Sequence, residues 1–313
     1  MRPGPLTVLG IVDHSIELAR RHPRFVLTTI VAGSLPLALG GAVAIHLIRT
    51  WGPDPVAILA GAAILAALAV PRAIGWGAGL RGLQAILDDE PVDPPALLRQ
   101  ALARAPRLYA AQAWPFMWAL FGTLLAAGPV VIGIFASNPQ RFFASMGLAL
   151  AGSTAGTLAA GFVGVYVARR VLAVPIAATD PTGAGSPLRK SAELVRGQTP
   201  RAMMLLTCLA LFQILVWITL VELAPWGLEL AEMLTGFSFL ELRGVLTFRD
   251  PSYLAFQGAL AFLAMEPVRC LCAGLFHSDG ETRRGGADLM ARLRRRAPVP
   301  AGAPREGEAA WRG

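Results

Sequence analysis

Charged residues are scarce in this chain. They make up 15% of its 313 residues, whereas 55% are hydrophobic, and the mean hydropathy is +0.55. Soluble globular domains carry charge on about 25% of their residues. The composition therefore argues against a soluble protein and predicts an integral membrane protein.

Cysteine and histidine are also few. Cys208, Cys270 and Cys272 all lie in apolar runs, without the spacing of a zinc site or a disulfide framework. The histidines follow no H-E-x-x-H or similar pattern. We therefore predict neither a metal site nor a cofactor.

Lysine is nearly absent, since Lys190 is the only one, and arginine carries almost all of the positive charge. The formal charge of +8 would indicate nucleic acid binding in a soluble chain. Here the basic residues lie in short segments beside long apolar runs. They predict contact with a lipid bilayer, including anionic lipid at the cytoplasmic face, and no nucleic acid.

Long apolar runs are abundant. A helix needs about 20 mostly apolar residues to cross the hydrocarbon core, and six segments meet this requirement. They cover about residues 25–48, 56–80, 108–136, 142–168, 202–221 and 254–276. We predict an all-α fold, a polytopic membrane helical bundle forming one domain over residues 1–296, with a disordered cytoplasmic tail at 297–313.

The distribution of arginine predicts the orientation, because cytoplasmic connections hold the excess of basic residues. Only Arg49, Arg141, Arg243 and Arg249 lie in the connections on one side. The opposite side includes the basic residues next to the predicted spans, namely Arg24, Arg107, Arg189, Lys190, Arg201, Arg283 and Arg284. We therefore predict a bacterial inner-membrane protein with both termini in the cytoplasm.

Three short helices are predicted on the cytoplasmic side, each before a membrane hairpin. The first lies between Leu6 and Arg21, with an apolar face at Leu9, Val12, Ile16 and Ala19. The others cover 96–105 and 188–195, the last with Ser186 as N-cap and Pro187 in its first turn. In the long external connection, WGLELAEML and FSFLELRGVLTF predict helices resting on the outer leaflet, with partner binding as the alternative.

A Pro-Arg pair precedes a predicted span three times, at the ends of LARRHPR, LARAPR and LVRGQTPR. One explanation is a threefold repeat of a surface helix followed by a transmembrane hairpin. The other is convergence, because proline suits the start of a helix and arginine a cytoplasmic boundary. The sequence leaves both open.

Two charges interrupt the last apolar run, LAFLAMEPVRCLCAGLF. Glu266 and Arg269 are three residues apart and so share a helix face, and Arg72 lies at a similar depth in the second predicted span. A charge at the centre of a membrane helix costs about 2.5–3.5 kcal/mol on insertion scales, so these side chains should face protein or water. They form either an intramembrane cluster that fixes two helices together or part of a polar cavity that binds a lipid headgroup or conducts an ion.

Other motifs carry no chemistry. The G-x-G-x-x-G pattern of Gly77, Gly79 and Gly82 follows no strand, so it predicts a helix-packing surface rather than a nucleotide site. The small residues of GSTAG at 152–156 are interpreted in the same way. No catalytic set is recognisable by its spacing.

Four segments resemble a family of bacterial six-span proteins related to the membrane domain of glycerophosphoryl diester phosphodiesterases. They are LTVLGIVDHSIELARRHPRFV, GLRGLQAILDDEPVDPPALLRQAL, VPIAATDPTGAGSPLRKSAELVRG and LFHSDGETRRGGADLMARL. In the third, an Arg-Ser helix closes in Arg-Gly at 189–197 as in the family, whereas Glu281 and Gly285 depart from the family pattern. The resemblance implies a helical membrane domain, and the catalytic barrel of the relatives would need about 250 further residues.

The sequence therefore predicts a non-enzymatic membrane scaffold or accessory subunit with a membrane or cytoplasmic protein partner. The alternative is a transporter or lipid-handling protein that uses Arg72, Glu266 and Arg269.

Overall fold

The computed structural model describes residues 6–51, 55–118, 156, 161–180, 185–238 and 251–284, and these form helices with no strand among them. The predicted all-helical class is confirmed. In chain order the helices are α1 (Val8–Arg21), α2 (Pro23–Val26), α3 (Ala32–Trp51), α4 (Pro55–Leu87), α5 (Pro94–Leu102), α6 (105–118), α7 (161–168), α8 (Ala173–Thr179), α9 (Pro187–Val195), α10 (Thr199–Thr235) and α11 (Pro251–Arg284). A π-helix, Leu27–Val31, joins α2 to α3.

Five segments of the described residues are long and apolar enough to cross a membrane. They are Pro23–Leu47, Leu59–Leu87, Gly161–Thr179, Thr199–Thr235 and Ser252–Arg284. Four of them overlap the first, second, fifth and sixth predicted spans. Most of the third and fourth predicted spans lies outside the described residues, and Gly161–Thr179 overlaps only the end of the fourth.

Several helices are longer than the membrane spans predicted from the sequence. α4 continues to Leu87, α10 to Thr235 and α11 to Arg284. Hydropathy marks only the part of a helix that suits lipid, whereas the backbone hydrogen bonds of the helix continue through polar residues beyond it.

α11 lies at the centre of the described helices. It contacts α1, α3, α4 and α10, and more of it is buried than of the other four candidate spans. Leu271, Leu275 and Phe276 form part of the core. The polar residues Gln257, Glu266, His277 and Asp279 of α11 are buried, so they face protein, where hydrogen-bond partners can reach them.

α3 and α4 cross with their backbones in close contact. A Cβ added to Gly33 would lie 2.9 Å from the Gly75 Cα and 2.9 Å from the Pro71 carbonyl oxygen, and one added to Gly75 would lie 2.5 Å from the Thr29 carbonyl oxygen. Small residues allow this approach between membrane helices. Ser34 follows Gly33 on α3, and Trp76 follows Gly75 on α4. The crossing therefore brings these two side chains to the same level of the bundle.

The three glycines of the G-x-G-x-x-G pattern pack against three different parts of the fold. Added Cβ atoms would meet Leu108 at Gly77, Ile30 at Gly79 and Phe25 at Gly82, at distances of 2.3–2.6 Å. The predicted packing role is thus what the structure shows. The GSTAG segment lies outside the described residues except for residue 156, which is helical.

The three predicted surface helices are present as α1, α5 and α9. α9 begins after Ser186 with Pro187 in its first position, as predicted. α1 buries Val8, Ile11, Val12, Ser15 and Leu18 against other helices, and its position in the membrane interface stays a prediction. Leu9 and Ile16 are exposed.

The WGLELAEML segment, which was predicted to be a separate helix, is not one. Residues 226–234 belong to α10, which ends where Gly236 adopts the left-handed conformation and its N–H donates to the Glu232 carbonyl. Of the FSFLELRGVLTF segment, only residues 237 and 238 lie within the described chain. α10 is therefore one continuous helix of 37 residues.

Replacing Gly75 by Ala should destabilise the fold, because the new methyl group would overlap backbone atoms that cannot rotate away. Overpacking of this kind costs about 1–3 kcal/mol, which should lower the melting temperature in mild detergent by several degrees. Gly61→Ala is the matched control, since it lies on the same helix with nothing within 4 Å of an added Cβ. Equal melting temperatures for the two variants would contradict the close crossing.

Candidate functional site

Glu266 of α11 is the most deeply buried charged residue described, with 0% of its surface exposed. Its carboxylate accepts two parallel hydrogen bonds from Arg72 of α4, one from Nε to Oε2 at 2.9 Å and one from Nη2 to Oε1 at 3.0 Å. This bidentate geometry is the strongest arrangement of a guanidinium and a carboxylate. It joins α4 to α11 in the middle of the bundle.

Three more donors complete the environment of the same carboxylate. Trp76 Nε1 donates to Oε2 at 2.6 Å, the Ser34 hydroxyl donates to Oε2 at 3.2 Å, and Arg269 Nη1 donates to Oε1 at 3.0 Å. The two carboxylate oxygens thus accept five hydrogen bonds, which exceeds the roughly four acceptor positions that a carboxylate offers. The carboxylate has no free capacity for a further donor. We call Ser34, Arg72, Trp76, Glu266 and Arg269 the Glu266 cluster.

The guanidinium groups of the cluster are also enclosed. Arg72 lies 4.7 Å from the centre of the Trp76 ring and 5.5 Å from that of Phe262, and Arg269 lies 5.3 Å from that of Phe262. Arg269 Nη2 additionally donates to Gln213 Oε1 of α10. Aromatic faces attract cations more strongly where water is excluded. Four helices, α3, α4, α10 and α11, therefore contribute to one buried polar centre.

The structure brings together Arg72, Glu266 and Arg269, the three charges selected from the sequence. Ser34, Trp76, Gln213 and Phe262 were missed. Trp76 lies four residues after Arg72 and Phe262 four residues before Glu266, so helical spacing on each helix was the signal that could have found them. Ser34 and Gln213 depend on how separate helices cross, and no local pattern identifies them.

The chemistry of the cluster is limited because the hydrogen-bond acceptor positions of the Glu266 carboxylate are all occupied. Two guanidinium groups and one carboxylate leave one formal positive charge, which aromatic rings and an amide oxygen surround. Among the described residues, no group of histidine, cysteine and carboxylate side chains could hold a metal ion. The geometry is that of a closed interhelical contact.

A second charged cluster lies near the carboxyl-terminal end of α11. Asp279 Oδ2 accepts hydrogen bonds from Arg201 Nη1 and from Arg283 Nε, the latter at 2.8 Å, and its Oδ1 accepts from the Leu6 N–H at 3.0 Å. Arg201 Nη2 also donates to the Leu6 carbonyl. These contacts fix the segment before α1 against α10 and α11. Arg201 and Arg283, predicted as interfacial basic residues, thus have structural partners.

The remaining predicted basic residues do not form one patch. Arg107 and Lys190 both pair with Asp180, at 3.4 and 2.6 Å. Arg284 donates to the Glu193 carbonyl. Arg24 is exposed, and Arg189 forms an exposed pair with Glu193 at 3.1 Å.

Glu266→Gln should lower the stability of the protein strongly, because it leaves two buried guanidinium groups without a counter-charge. Breaking a buried ion pair costs about 3–5 kcal/mol. Arg72→Gln should also destabilise, and the Arg72→Gln, Glu266→Gln double variant should lose less than the sum of the two single losses. Thermal unfolding in mild detergent measures all three.

The exposed pair Arg189–Glu193 is the control for these variants. Arg189→Gln should change stability by no more than about 0.5 kcal/mol, because exposed helical ion pairs contribute little. A strictly additive double variant at Arg72 and Glu266 would contradict the coupling that the hydrogen bonds imply.

Comparisons of the chain with protein-family models, with curated proteins and with solved structures yield no match. The relationship to the membrane domain of glycerophosphoryl diester phosphodiesterases stays a prediction from the four segments quoted above. Any activity must be argued from the residues themselves.

Proposed function

We propose that this chain is a six-span membrane scaffold or accessory subunit, located in a bacterial inner membrane with both termini in the cytoplasm. The observation that carries the proposal is the continuation of α10 far beyond its contacts with the bundle. Two further features support it. The five candidate spans fit a multi-pass membrane protein, and the saturated Glu266 cluster forms a closed contact among the described helices.

α10 is too long to end inside a bilayer. At about 1.5 Å per residue its 37 residues extend for about 55 Å, whereas the hydrocarbon core is about 30 Å thick. Arg201, near the start of the helix, is held by Asp279 and Leu6 in the second charged cluster. About 20 residues later, the Tyr253 hydroxyl donates a hydrogen bond to the Val221 carbonyl at 2.7 Å. Val221 is the last buried residue of α10.

Beyond Val221 the helix has an apolar stripe that touches little of the described chain. Leu223, Trp226, Leu230 and Leu234 recur at three- and four-residue spacing, which places them on one face. Leu230 is 58% exposed and Leu234 is 77% exposed. The glutamates of this segment, Glu222, Glu229 and Glu232, fall on the neighbouring face. We call the four apolar residues the α10 stripe.

An exposed apolar stripe outside the hydrocarbon core indicates a protein contact, because water cannot stabilise it and lipid tails do not reach it. α10 remains one helix from the span into the stripe, with Pro225 between Val221 and Trp226. The stripe therefore fits the apolar face of a partner helix, in the way that amphipathic helices pair through residues spaced three and four apart.

A photo-crosslinking residue at Leu230 should capture a discrete protein in native membranes. The same residue at Leu215, which is 59% exposed within the apolar span of α10, is the control and should react with lipid only. The Trp226→Ala, Leu234→Ala variant should abolish the protein adduct, because truncating two anchors of an apolar contact removes most of its binding energy. The Leu211→Ala variant, on the lipid-facing part of the same helix, should leave the adduct unchanged.

The adducts separate the competing explanations. A cross-link to a different protein supports the scaffold proposal. Absence of any protein adduct at Leu230, or the same adduct at Leu215 and Leu230, overturns it. An adduct of twice the mass of this chain also overturns an accessory role and identifies the stripe as a self-association surface.

One observation favours the alternative, a transporter or lipid-handling protein that uses Arg72, Glu266 and Arg269. The cluster has one formal positive charge in excess, and 23% of the Arg269 side chain is exposed. An anionic substrate would be drawn to that charge. Substrate-dependent thermal stabilisation that Arg269→Gln abolishes would favour this function over the scaffold.

A further inference from the structure

α8 is a short buried helix whose carboxyl end receives arginine side chains from elsewhere in the chain. Arg81 Nε of α4 donates to the Ala178 carbonyl at 2.8 Å. Arg104, in the turn between α5 and α6, donates through Nη1 to the Ala178 carbonyl at 3.3 Å and to the Asp180 carbonyl at 2.8 Å. The end of a helix carries unsatisfied carbonyls and a partial negative charge, so cations are stabilised there.

Two more cations reach the residue that follows α8. Lys190 Nζ of α9 lies 2.6 Å from Asp180 Oδ2, and Arg107 Nη2 of α6 lies 3.4 Å from the same oxygen. Arg81, Arg104, Arg107 and Lys190 therefore converge from four separate elements on the end of α8. We call these four residues together with Asp180 the Asp180 cluster.

Positive charge in the Asp180 cluster exceeds the negative charge it contacts. Four cations contact one carboxylate and two backbone carbonyls, and the end of a helix contributes only about half an elementary charge. Arg81 also donates to the neutral Gln100 Oε1 at 2.5 Å. Among the contacts of the described residues, positive charge therefore exceeds negative charge, and like charges this close destabilise one another unless an anion is added.

The number of cations distinguishes the Asp180 cluster from the other two charged clusters. Two arginines contact the Glu266 carboxylate and two contact that of Asp279, whereas four cations meet at the end of α8. In the Asp180 cluster, 40% of the Lys190 side chain and 21% of the Arg107 side chain are exposed. An anion can reach these two side chains from the surface.

The position also suits a particular anion. Arg81 lies near the end of the apolar run of α4, and Arg107 lies near the start of α6. Such positions at the boundary of the hydrocarbon core are where lipid phosphates lie. The Arg107 contact with Asp180, at 3.4 Å, is long for a charged hydrogen bond, so a phosphate oxygen could replace it at about 2.7–2.9 Å.

We propose that the Asp180 cluster binds a phosphate group, with Arg104, Arg107 and Lys190 as its direct donors and Arg81 held against α8. The phosphate belongs either to the headgroup of an anionic lipid or to a soluble phosphate. This inference is independent of the α10 stripe, which lies beyond Val221 on the far part of α10.

The test is thermal unfolding of the full chain in a neutral detergent with added short-chain lipids. Dioctanoyl phosphatidylglycerol should raise the melting temperature in a saturable way, whereas dioctanoyl phosphatidylcholine should not. Arg107→Gln and Lys190→Gln should each weaken the apparent affinity about tenfold, which corresponds to the loss of one charge-assisted hydrogen bond. Arg189→Gln is the matched control, because it removes an exposed positive charge next to Lys190 that contacts Glu193 instead.

The same titration with inorganic phosphate distinguishes the two sources. Stabilisation by phosphatidylglycerol alone identifies a lipid headgroup, and stabilisation by both at similar concentrations identifies a soluble phosphate. Equal effects of phosphatidylcholine and phosphatidylglycerol, or equal losses in the Arg189→Gln and Lys190→Gln variants, overturn the proposal. Native mass spectrometry counts the bound lipids, and a bound lipid retained by the Arg107→Gln, Lys190→Gln double variant at wild-type affinity also overturns it.

Discussion

A carboxylate without access to water determines how the described helices of this chain pack. Glu266 can remain charged in the centre of the bundle only if every donor around it is in place. Arg72 and Trp76 supply donors from α4, Ser34 from α3 and Arg269 from α11 itself. The register of α3, α4 and α11 is therefore specified by one group, and the close crossing at Gly33 and Gly75 is the packing that allows Ser34 and Trp76 to reach it.

The charged groups of the described chain serve different purposes at different depths. In the centre, five hydrogen bonds saturate the fully buried Glu266 carboxylate. Near the ends of the spans, Asp279 holds the segment before α1 through Arg201 and Leu6. At Asp180 the cations outnumber the carboxylate and reach the surface. A surplus of arginine that looks uniform in the sequence is thus divided between structural contacts and groups that an external anion can reach.

The sequence predicted the helices well where a long apolar run or a strong cap defined them, as at α1 and α9. It predicted their ends poorly, because hydropathy follows the environment of the side chains and not the hydrogen bonds of the backbone. The sequence did not show which apolar residues of α1 pack against other helices, since Val12 is buried whereas Leu9 and Ile16, on the predicted interfacial face, are exposed. α8 was missed because seven residues are too few to form a span, and Ser34 and Gln213 were missed because contacts between distant helices leave no local pattern.

The order in which the chain is synthesised gives the Arg72–Glu266 pair a further consequence. The two residues are 194 positions apart, so α4 leaves the ribosome and enters the bilayer long before its counter-charge exists. Until α11 follows, the insertion machinery or the neighbouring lipid headgroups must accommodate an unpaired guanidinium. The apolar residues of α4 on either side of Arg72 provide the driving force for this early insertion. Assembly therefore includes a late step in which α11 completes a contact that α4 has been missing.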